Sequence, residues 1–345
     1  MEVSYIITVY NKEKYLKDVI QGIREQKGNF QSELIFIDDG STDRSLEIIS
    51  KESQGLKNVR IISQTNQGLI GATVRGINEA KGRYFIFCDG DDVLLPDVTE
   101  LLINGIKLAS VRIATCCLFI PKNEKLVEKL LPQKKLYCKR EFTHCDKVQS
   151  SEVNYRYVVE DLPDFKKRKI SGYIFKDAFE YALHRDAYFI GATGSLIENS
   201  IAKKLIKIDT EALHTQDVLL TIGALVEGYS ILCIDAIGSY PLTFINEQFK
   251  QEKLSANVFR VCNDVIGTYL SLIQKYPNEF KKLKSHLAKV VLICLKRSWY
   301  REKSIGVSRL SIKYFLYKIK FAFIKCFGIK PQSALKVLKS IFSSK

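Results

Sequence analysis

The chain has 345 residues, of which 46% are hydrophobic and 26% charged, and its formal net charge is +15. A chain of this length and composition can bury a substantial core, which excludes a wholly disordered protein. Residues 281–345 hold 17 of the 53 Lys and Arg residues but a single acid, Glu302, so the rest of the chain is nearly neutral. The charge therefore indicates a localised anionic partner, such as a membrane surface, rather than nucleic-acid binding along the whole protein.

The cysteines and the N-terminal segment favour a cytoplasmic protein. The nine cysteines are odd in number, lack C-x-x-C spacing and lie mostly in apolar runs, as expected of reduced, buried thiols. The strand-like run Val3 to Tyr10 has no basic segment before it, and no stretch approaches 18 apolar residues. We therefore expect a chain that stays in the cytoplasm and does not cross a membrane.

Residues 1–120 alternate apolar β-rich runs with helical patterns. The β-rich runs are VSYIITVY, ELIFID, VRIIS and RYFIFC, and the helical ones are KYLKDVIQGIREQ, RSLEIISKE and LIGATVRGINEAK. This order predicts an α/β fold with a mostly parallel, twisted sheet flanked by helices. Functional loops in such a fold lie at the carboxyl ends of the strands.

The rest of the chain divides into three parts. Residues 121–185 are charged and turn-rich, which is typical of substrate-facing insertions and also of plain surface loops. The run AYFIGATGSLI, helices near Asn199–Lys207 and Gln216–Glu227, and the strand YSILCID then restore the α/β pattern. We expect one α/β domain over residues 1–250 and a basic, helical region over residues 251–345.

The sequence Asp89-Gly90-Asp91-Asp92 directly follows an apolar strand. Carboxylates this close repel one another at a buried strand end, and a divalent cation removes the conflict. Mg²⁺ and Mn²⁺ prefer oxygen ligands and are commonly held by one or two carboxylates together with substrate phosphates. The alternative is a solvated acidic turn that caps the next helix.

A second acidic cluster, Asp38-Asp39-Gly-Ser-Thr-Asp43, also stands between a strand and a helix. Asp43 or Ser41 could cap that helix. Two consecutive carboxylates exceed what a cap requires, and a carboxylate can accept hydrogen bonds from a nucleobase imide or from ribose hydroxyls.

Five segments occur together in one order along the chain, and this combination is more specific than any one of them. They are IITVYN, IDDGSTD at 37–43, NQG at 66–68, AKGRYFIFCDGDD at 80–92 and QD at 216–217. Together they resemble glycosyltransferase family 2, inverting transferases of the GT-A fold, of the type that builds bacterial cell-surface polysaccharide or lipopolysaccharide. The resemblance implies a nucleotide-sugar donor, with a UDP-sugar expected first, and Mn²⁺ or Mg²⁺ as cofactor. It also implies a nucleotide-sugar-binding half over residues 1–120 and an acceptor-side half over residues 121–250.

The resemblance assigns roles to the acidic clusters. In the family, the acid at the position of Asp39 contacts the nucleobase, the first Asp of D-x-D lies near the ribose and the second binds the metal. These last two are Asp89 and Asp91 here. The other candidates for nucleotide-sugar binding are Thr8, Val9, Tyr10, Asn11, Asp38, Asn66, Gly68 and Gly90.

The resemblance also implies a catalytic base, which the family carries at the start of a helix, usually in a Glu-Asp pair. Asp217 matches that position, with Gln216 in place of the Glu. An inverting displacement needs one carboxylate to take the proton of the acceptor hydroxyl, and His214 is the rival base. Gly194, Ser195 and Gln216 are acceptor-side candidates.

The basic tail leaves several interpretations open. On a helical wheel, Arg309–Cys326 shows two apolar faces separated by basic seams. One interpretation is a helix at an anionic membrane surface, which would make the acceptor lipid-linked and the protein peripheral on the inner face of the membrane. The alternatives for the tail are a helix buried in a bundle or homo-oligomer and a nucleic-acid-binding segment. No nucleic-acid motif is found, so we expect no nucleic acid. For the whole protein, the alternative is a catalytically inactive scaffold.

Overall fold

The structure is a computed structural model that describes residues 1–118, 155–157, 172–175, 179, 190, 193–207, 216–242, 267–279 and 283. Two compact units divide the chain. The first comprises Met1–Lys207 and Gln216–Glu247, and the second comprises Ile208–Thr215 and Gln248–Lys345. Expectations for the loop region 121–154, for His214 and for the basic tail lie outside the described residues.

Ten described strands of the first unit form one sheet. The strands are β1 (Val3–Val9), β2 (Ser32–Asp38), β3 (Val59–Ser63), β4 (Tyr84–Asp89), β5 (Asp92–Leu94), β6 (Ile113–Leu118), β7 (Tyr155–Tyr157), β8 (Gly172–Phe175), β9 (Ser195–Glu198) and β10 (Ile231–Pro241). Their spatial order is β3-β2-β1-β4-β9-β6-β10-β8-β7, and β5 pairs with β10.

Six helices are described in the same unit. They are α1 (Leu16–Arg24), α2 (Ser45–Glu52), α3 (Gly68–Glu79), α4 (Val98–Ala109), α5 (Asn199–Leu205) and α6 (Gln216–Val226). In the second unit, residues 267–275 are helical and Pro277–Glu279 form a 3₁₀ turn. No helix among the described residues is long and apolar enough to span a bilayer.

The four strands at one side of the sheet are parallel, as the βαβ pattern predicts. Strand β1 lies at their centre, with β2 and β4 as neighbours, and all seven of its residues are buried. Helix α3 covers this part of the sheet so closely that a Cβ on Gly76 would lie 2.2 Å from Ile6 Cγ2. The apolar runs of β1, β2 and β4 are continuous because these strands are buried on both faces, whereas β3 at the edge is partly exposed.

Beyond β4 the sheet becomes mixed. Strand β9 is antiparallel to both of its neighbours, β4 and β6, and β10 is parallel to β6 but antiparallel to β5 and β8. The long ladders are parallel and the short ones antiparallel. The α/β class and the mostly parallel sheet are confirmed, and the mixed half follows from β9, which enters between two strands that precede it in the chain.

Helix α1 fixes the position of β5. Its apolar residues recur at the 3.6-residue period and are buried, and Gly22 brings the helix against the strand, because a Cβ there would lie 2.9 Å from the carbonyl oxygen of Leu94. Gln26 Nε2 donates to the carbonyl oxygen of Leu95 at 2.7 Å. The chain that follows the acidic segment is thus held against α1 by packing and by a hydrogen bond.

Candidate functional site

The acidic segment Asp89-Gly90-Asp91-Asp92 is held from two sides. The amide of Gly90 donates to the carbonyl oxygen of Thr8 at the end of β1 (2.9 Å), and the amide of Leu242 donates to the carbonyl oxygen of Asp91 (2.8 Å). A Cβ on Gly90 would lie 3.0 Å from that Thr8 oxygen, so the close approach favours glycine. The segment is therefore a fixed bend between β1 and β10.

The carboxyl groups of this segment are crowded. Asp89 and Asp91 are half-buried and Asp92 is buried. Burial raises the pKa of Asp89 well above its usual range, and the neighbouring Asp92 and Asp91 raise it further. Burial and Asp91 together raise the pKa of Asp92 to about 7. Ionising all of these groups at once is therefore costly without additional positive charge.

Lys12 is the cation at this segment. Its Nζ donates to Asp91 Oδ2, and its charge lowers the pKa values of Asp89 and Asp92. The backbone of Lys12 is anchored by its amide, which donates to Ser45 Oγ at 2.8 Å. Among the described residues, the ammonium that contacts this acidic segment thus comes from the loop after β1.

Thr193 supports the acidic segment from the chain before β9. Its buried hydroxyl accepts a hydrogen bond from the amide of Asp89 at 2.9 Å. The same hydroxyl forms a hydrogen bond with the side chain of Asp92, which lowers the pKa of that carboxyl. A further bond to Asp89 comes from Thr8, whose Oγ1 donates to Oδ1 at 3.3 Å.

Asp39 lies beside the acidic segment at the same edge of the sheet. Its amide donates to the carbonyl oxygen of Val9 at 2.8 Å. Its buried side chain accepts hydrogen bonds at Oδ1 from Gln64 Nε2 (2.7 Å) and from the amide of Gln67 (2.8 Å). Both bonds end on Oδ1, so Oδ2 is the oxygen left for a ligand.

Asp38 makes a hydrogen bond within the same loop, and its part in nucleotide-sugar binding stays a prediction. It is buried, and its Oδ1 accepts a hydrogen bond from the amide of Ser41 at 3.3 Å. Gly40 has φ of +78°, and a Cβ there would lie 3.0 Å from the amide nitrogen of Asn66. A tight turn thus carries the chain from Asp39 past Asn66, whose Oδ1 accepts a bond from the amide of Gly68 at 3.2 Å.

The residues after β1 form the outer rim of the site. Asn11 has φ of +53°, and its Oδ1 accepts a hydrogen bond from the amide of Thr42 at 2.8 Å. Its own amide donates to Ser41 Oγ at 3.0 Å. Tyr10 is 47% exposed, which is unusual for a large ring at the end of a buried strand. Asn11 therefore joins two loops, and Tyr10 offers an aromatic face.

Helix capping explains only part of the second acidic cluster. Asp43 Oδ1 accepts a hydrogen bond from the amide of Ser45, the first residue of α2, at 2.9 Å, and its Oδ2 accepts one from the amide of Glu13 at 3.1 Å. Burial opposes the charge of Asp43, but these bonds lower its pKa. The side chain of Asp43 therefore accepts a bond from the first turn of α2, whereas that of Asp39 accepts bonds from Gln64 and Gln67.

The acceptor-side candidates lie in two places. Gly194, with φ of +85°, and Ser195 precede and begin β9, and Ser195 Oγ shares a hydrogen bond with Thr115 Oγ1 at 3.0 Å. Gln216 and Asp217 begin α6, where Gln216 is buried and Asp217 half-buried. Helix α6 packs against α3 and α5. The roles of these residues stay predictions.

The acidic segment fits a divalent cation whose coordination is completed by a ligand. No group of three or more His, Cys, Asp or Glu side chains is arranged to hold a metal within the described part of the chain. Asp91 offers oxygen ligands of the kind that Mg²⁺ and Mn²⁺ prefer, and diphosphate oxygens would supply others. The excess of carboxyl groups over ammonium groups also calls for added positive charge.

The match to a known family covers the residues of this site. The sequence profile of Glycosyl transferase family 2 matches residues 4–155. Residues 4–155 belong to glycosyltransferase family 2. This confirms the resemblance, and the matched segment holds Asp39, Lys12 and the whole acidic segment.

Curated relatives are similar over part of their length. The chain is 39% identical over 106 residues to the cholesterol galactosyltransferase of Borreliella burgdorferi, a match that covers 31% of this chain and 29% of the relative. For the putative glycosyltransferase EpsH of Bacillus subtilis the identity is 34% over 102 residues, and 29% of the relative is covered. The chain thus spans about a third of the length of such relatives.

Solved structures agree on the fold. The structure of S. aureus TarS 1-349 in complex with UDP-GlcNAc aligns with a TM-score of 0.57 at 16% identity, covering 94% of this chain and 81% of that one. At this identity the likeness shows the fold alone, which is GT-A.

Three side chains of the site were not identified from the sequence. Gln64 and Thr193 reach Asp39 and the acidic segment from distant positions, and no local pattern marks them. Lys12 directly follows Asn11 in the motif IITVYN, and this adjacency was the available signal. Its pairing with Asp91, which is far along the chain, depends on the parallel arrangement of β1 and β4.

We predict that Asp92 makes metal-free protein less stable as the pH rises. Its pKa of about 7 exceeds the value near 3.9 of an unfolded Asp, so the folded state holds the extra proton between these values. Asp92→Asn should remove this loss and gain about 4 kcal/mol of unfolding free energy at pH 8. Denaturant unfolding in EDTA from pH 4 to 8 measures it.

The matched control for this experiment is Asp18→Asn, at an exposed residue of α1. It should keep the wild-type pH profile. Parallel wild-type and Asp92→Asn profiles across the whole pH range would contradict the prediction.

Proposed function

We propose that this protein is an inverting glycosyltransferase that moves a sugar from a nucleotide-sugar, with a UDP-sugar expected first, to a glycan or lipid-linked glycan acceptor. The observation that carries the proposal is the juxtaposition of Asp39 with the acidic segment. Hydrogen bonds from both to the neighbouring residues Thr8 and Val9 hold them at one edge of the sheet. Support also comes from TarS, solved with UDP-GlcNAc, which has the same fold.

The nucleoside end of the donor fits Asp39 and Tyr10. The Oδ2 oxygen of Asp39 can accept the imide N–H of a uracil base, because Oδ1 is already occupied by two donors. The exposed ring of Tyr10 offers a face on which a base can stack. Asp89 would then lie toward the ribose and Asp91 toward the diphosphate.

The diphosphate end fits the acidic segment together with a divalent cation, Mn²⁺ or Mg²⁺. A mannosyltransferase from Pyrobaculum calidifontis, solved with GDP-Man and Mn²⁺, aligns with a TM-score of 0.53 at 14% identity and covers 100% of this chain and 81% of that one. A bound cation stabilises the negative charge that develops on a departing nucleoside diphosphate. Asp91 is the ligand that this chain would contribute.

Asp217 is the proposed catalytic base. It lies in the first turn of α6 and is half-buried, so the residue is partly open to solvent. The carboxylate would take the proton of the acceptor hydroxyl while the oxygen bonds to the anomeric carbon of the donor and the nucleoside diphosphate departs. The leaving group would need no protein acid, because a bound cation would stabilise its negative charge.

The basic tail is the proposed membrane contact. Residues 281–345 carry all of the excess positive charge of the chain, and the apolar faces of Arg309–Cys326 suit the interface of an anionic bilayer. The protein would then act at the inner face of the cell membrane, which favours a lipid-linked acceptor in surface-polysaccharide synthesis.

We predict that donor turnover depends on Asp91 and on a divalent cation. Asp91→Asn should lower nucleotide-sugar turnover with Mn²⁺ by roughly 100-fold or more, since the diphosphate loses its clamp. A panel of nucleotide-sugars, with released nucleoside diphosphate as the readout, measures the loss. Asp18→Asn should behave as wild type, and full wild-type activity in excess EDTA would overturn the assignment.

We predict that Asp217→Asn lowers kcat by about 10²–10⁴-fold and leaves donor affinity nearly unchanged. A base acts in the transition state and adds little to ground-state binding of the donor. Steady-state kinetics with an identified donor and acceptor, together with calorimetric titration of UDP, separates the two effects. Glu227→Gln, which follows the same helix and pairs with Lys204, serves as the control. A large loss of UDP affinity would instead make Asp217 a donor ligand.

We predict that neutralising the tail weakens vesicle binding. The triple variant Lys313→Gln, Lys318→Gln, Lys320→Gln should lower partitioning onto anionic vesicles by roughly 100-fold, since each lysine near such a surface contributes about 1 kcal/mol. Co-sedimentation with vesicles of varied anionic lipid content measures this. The matched triple variant removes the exposed charges of Lys17, Lys51 and Lys57 and should pellet as wild type. Equal pelleting of both variants would exclude the tail as the contact.

A further inference from the structure

We propose that Lys12 is an internal counter-cation that competes with the divalent metal for Asp91 and is drawn away by the diphosphate of the donor. Metal and nucleotide would then bind with positive cooperativity, and the metal would bind weakly until a nucleotide is present. The inference rests on the proposed function, because it names the residue that couples the two ligands of that site.

The first support is the contact itself. Lys12 Nζ is bonded to Asp91 Oδ2, an oxygen of the carboxylate that would bind the metal. The side chains are 26% and 13% exposed respectively, so the pair is partly withdrawn from solvent and its attraction is less screened than on an open surface. A metal that approaches Asp91 must displace the ammonium or tolerate its repulsion.

The second support is the balance of charge around Lys12. Asp89, Asp91 and Asp92 lie within four residues of one another, and within the described part of the chain Lys12 is the cation bonded to this segment. A divalent cation can replace it with more charge, but only if the ammonium finds another anion. A diphosphate provides one at the same place.

The third support is that Lys12 is anchored at one end and adaptable at the other. Its amide is fixed to Ser45 Oγ, and its side-chain stem crosses Gly90, where a Cβ would lie 3.1 Å from Lys12 Cγ. The absence of a side chain at Gly90 leaves room for that stem. A lysine stem has four rotatable carbons, so the ammonium can move from a carboxylate to a phosphate without any change in the backbone.

Thermodynamic linkage predicts how strongly metal binding and nucleotide binding affect each other. A ligand shifts an equilibrium by its difference in affinity for the two states. The nucleotide favours the state in which Lys12 has left Asp91, and so does the metal, so each strengthens the binding of the other by the same factor. Couplings of this kind are commonly about 5- to 150-fold. Removing the ammonium should remove much of the coupling.

The test is Mn²⁺ binding to the full chain, measured by electron paramagnetic resonance of free Mn²⁺, without nucleotide and with saturating UDP. In wild type, UDP should tighten Mn²⁺ binding by roughly 10-fold or more. In Lys12→Met, Mn²⁺ binding without nucleotide should tighten by about 10-fold, and the effect of UDP should shrink by a similar factor. Lys12→Arg, which keeps the charge, should retain most of the coupling.

Lys17→Met, at an exposed residue of α1, is the matched control and should bind Mn²⁺ as wild type does. Thermal unfolding midpoints establish that each variant is folded. Mn²⁺ binding to nucleotide-free Lys12→Met that is no tighter than to wild type, including binding too weak to measure in both, overturns the inference. So does wild-type protein in which UDP leaves the Mn²⁺ affinity unchanged.

Failure of the proposed function has a different signature. If neither UDP nor GDP binds the wild-type chain in calorimetric titrations with Mn²⁺ present, the donor assignment is wrong. The nucleotide-free comparison of wild type with Lys12→Met still reports whether Lys12 competes for the metal. The two proposals therefore fail in separate measurements.

Discussion

The concentration of negative charge at the end of β4 is the constraint on which the rest of the site depends. Three carboxyl groups within four residues cannot all ionise at a partly buried strand end unless neighbours compensate. The chain compensates with the ammonium of Lys12 and with the hydroxyls of Thr8 and Thr193, which bond to the side chains of Asp89 and Asp92. These neighbours neutralise the segment only in part. The negative charge that remains favours a cation at this segment, and under the proposed function a diphosphate would bind through that cation.

The register of the parallel strands turns this local constraint into a site. Residue pairs Val9 with Asp38 and Thr8 with Asp89 lie side by side across β1, so both acidic clusters emerge at one edge. The mixed half of the sheet adds a hydrogen-bonding side chain to this edge. Strand β9 enters antiparallel beside β4, and the residue just before it, Thr193, reaches the amide of Asp89. The acidic segment is thus held by residues from both halves of the sheet.

The sequence predicts the local features of this arrangement and misses those that join distant segments. The alternating pattern predicts the α/β class, and the position of each acidic cluster after a strand predicts the edge at which it lies. Thr193 is missed because its role depends on β9 pairing with β4, which no periodicity indicates. Asp38 and Asp39 are adjacent in the sequence, but Oδ1 of Asp38 accepts a bond from the amide of Ser41 inside its own loop, whereas Oδ1 of Asp39 accepts bonds from Gln64 and Gln67. A single strand-end motif does not predict which hydrogen-bond partners each carboxylate finds.

The family match and the proposed site both separate residues 4–155 from the later part of the chain. Residues 4–155 contain every side chain that we assign to the nucleotide and the metal, whereas Thr193, Gln216 and Asp217 lie beyond them. A diphosphate and a cation make the same demands on any glycosyltransferase, so the residues that meet them form a recognisable pattern. Acceptors differ in shape and hydroxyl position, and the residues that select them are free to vary on one fold. The acceptor is therefore to be sought through the residues after 155, beginning with the environment of Asp217.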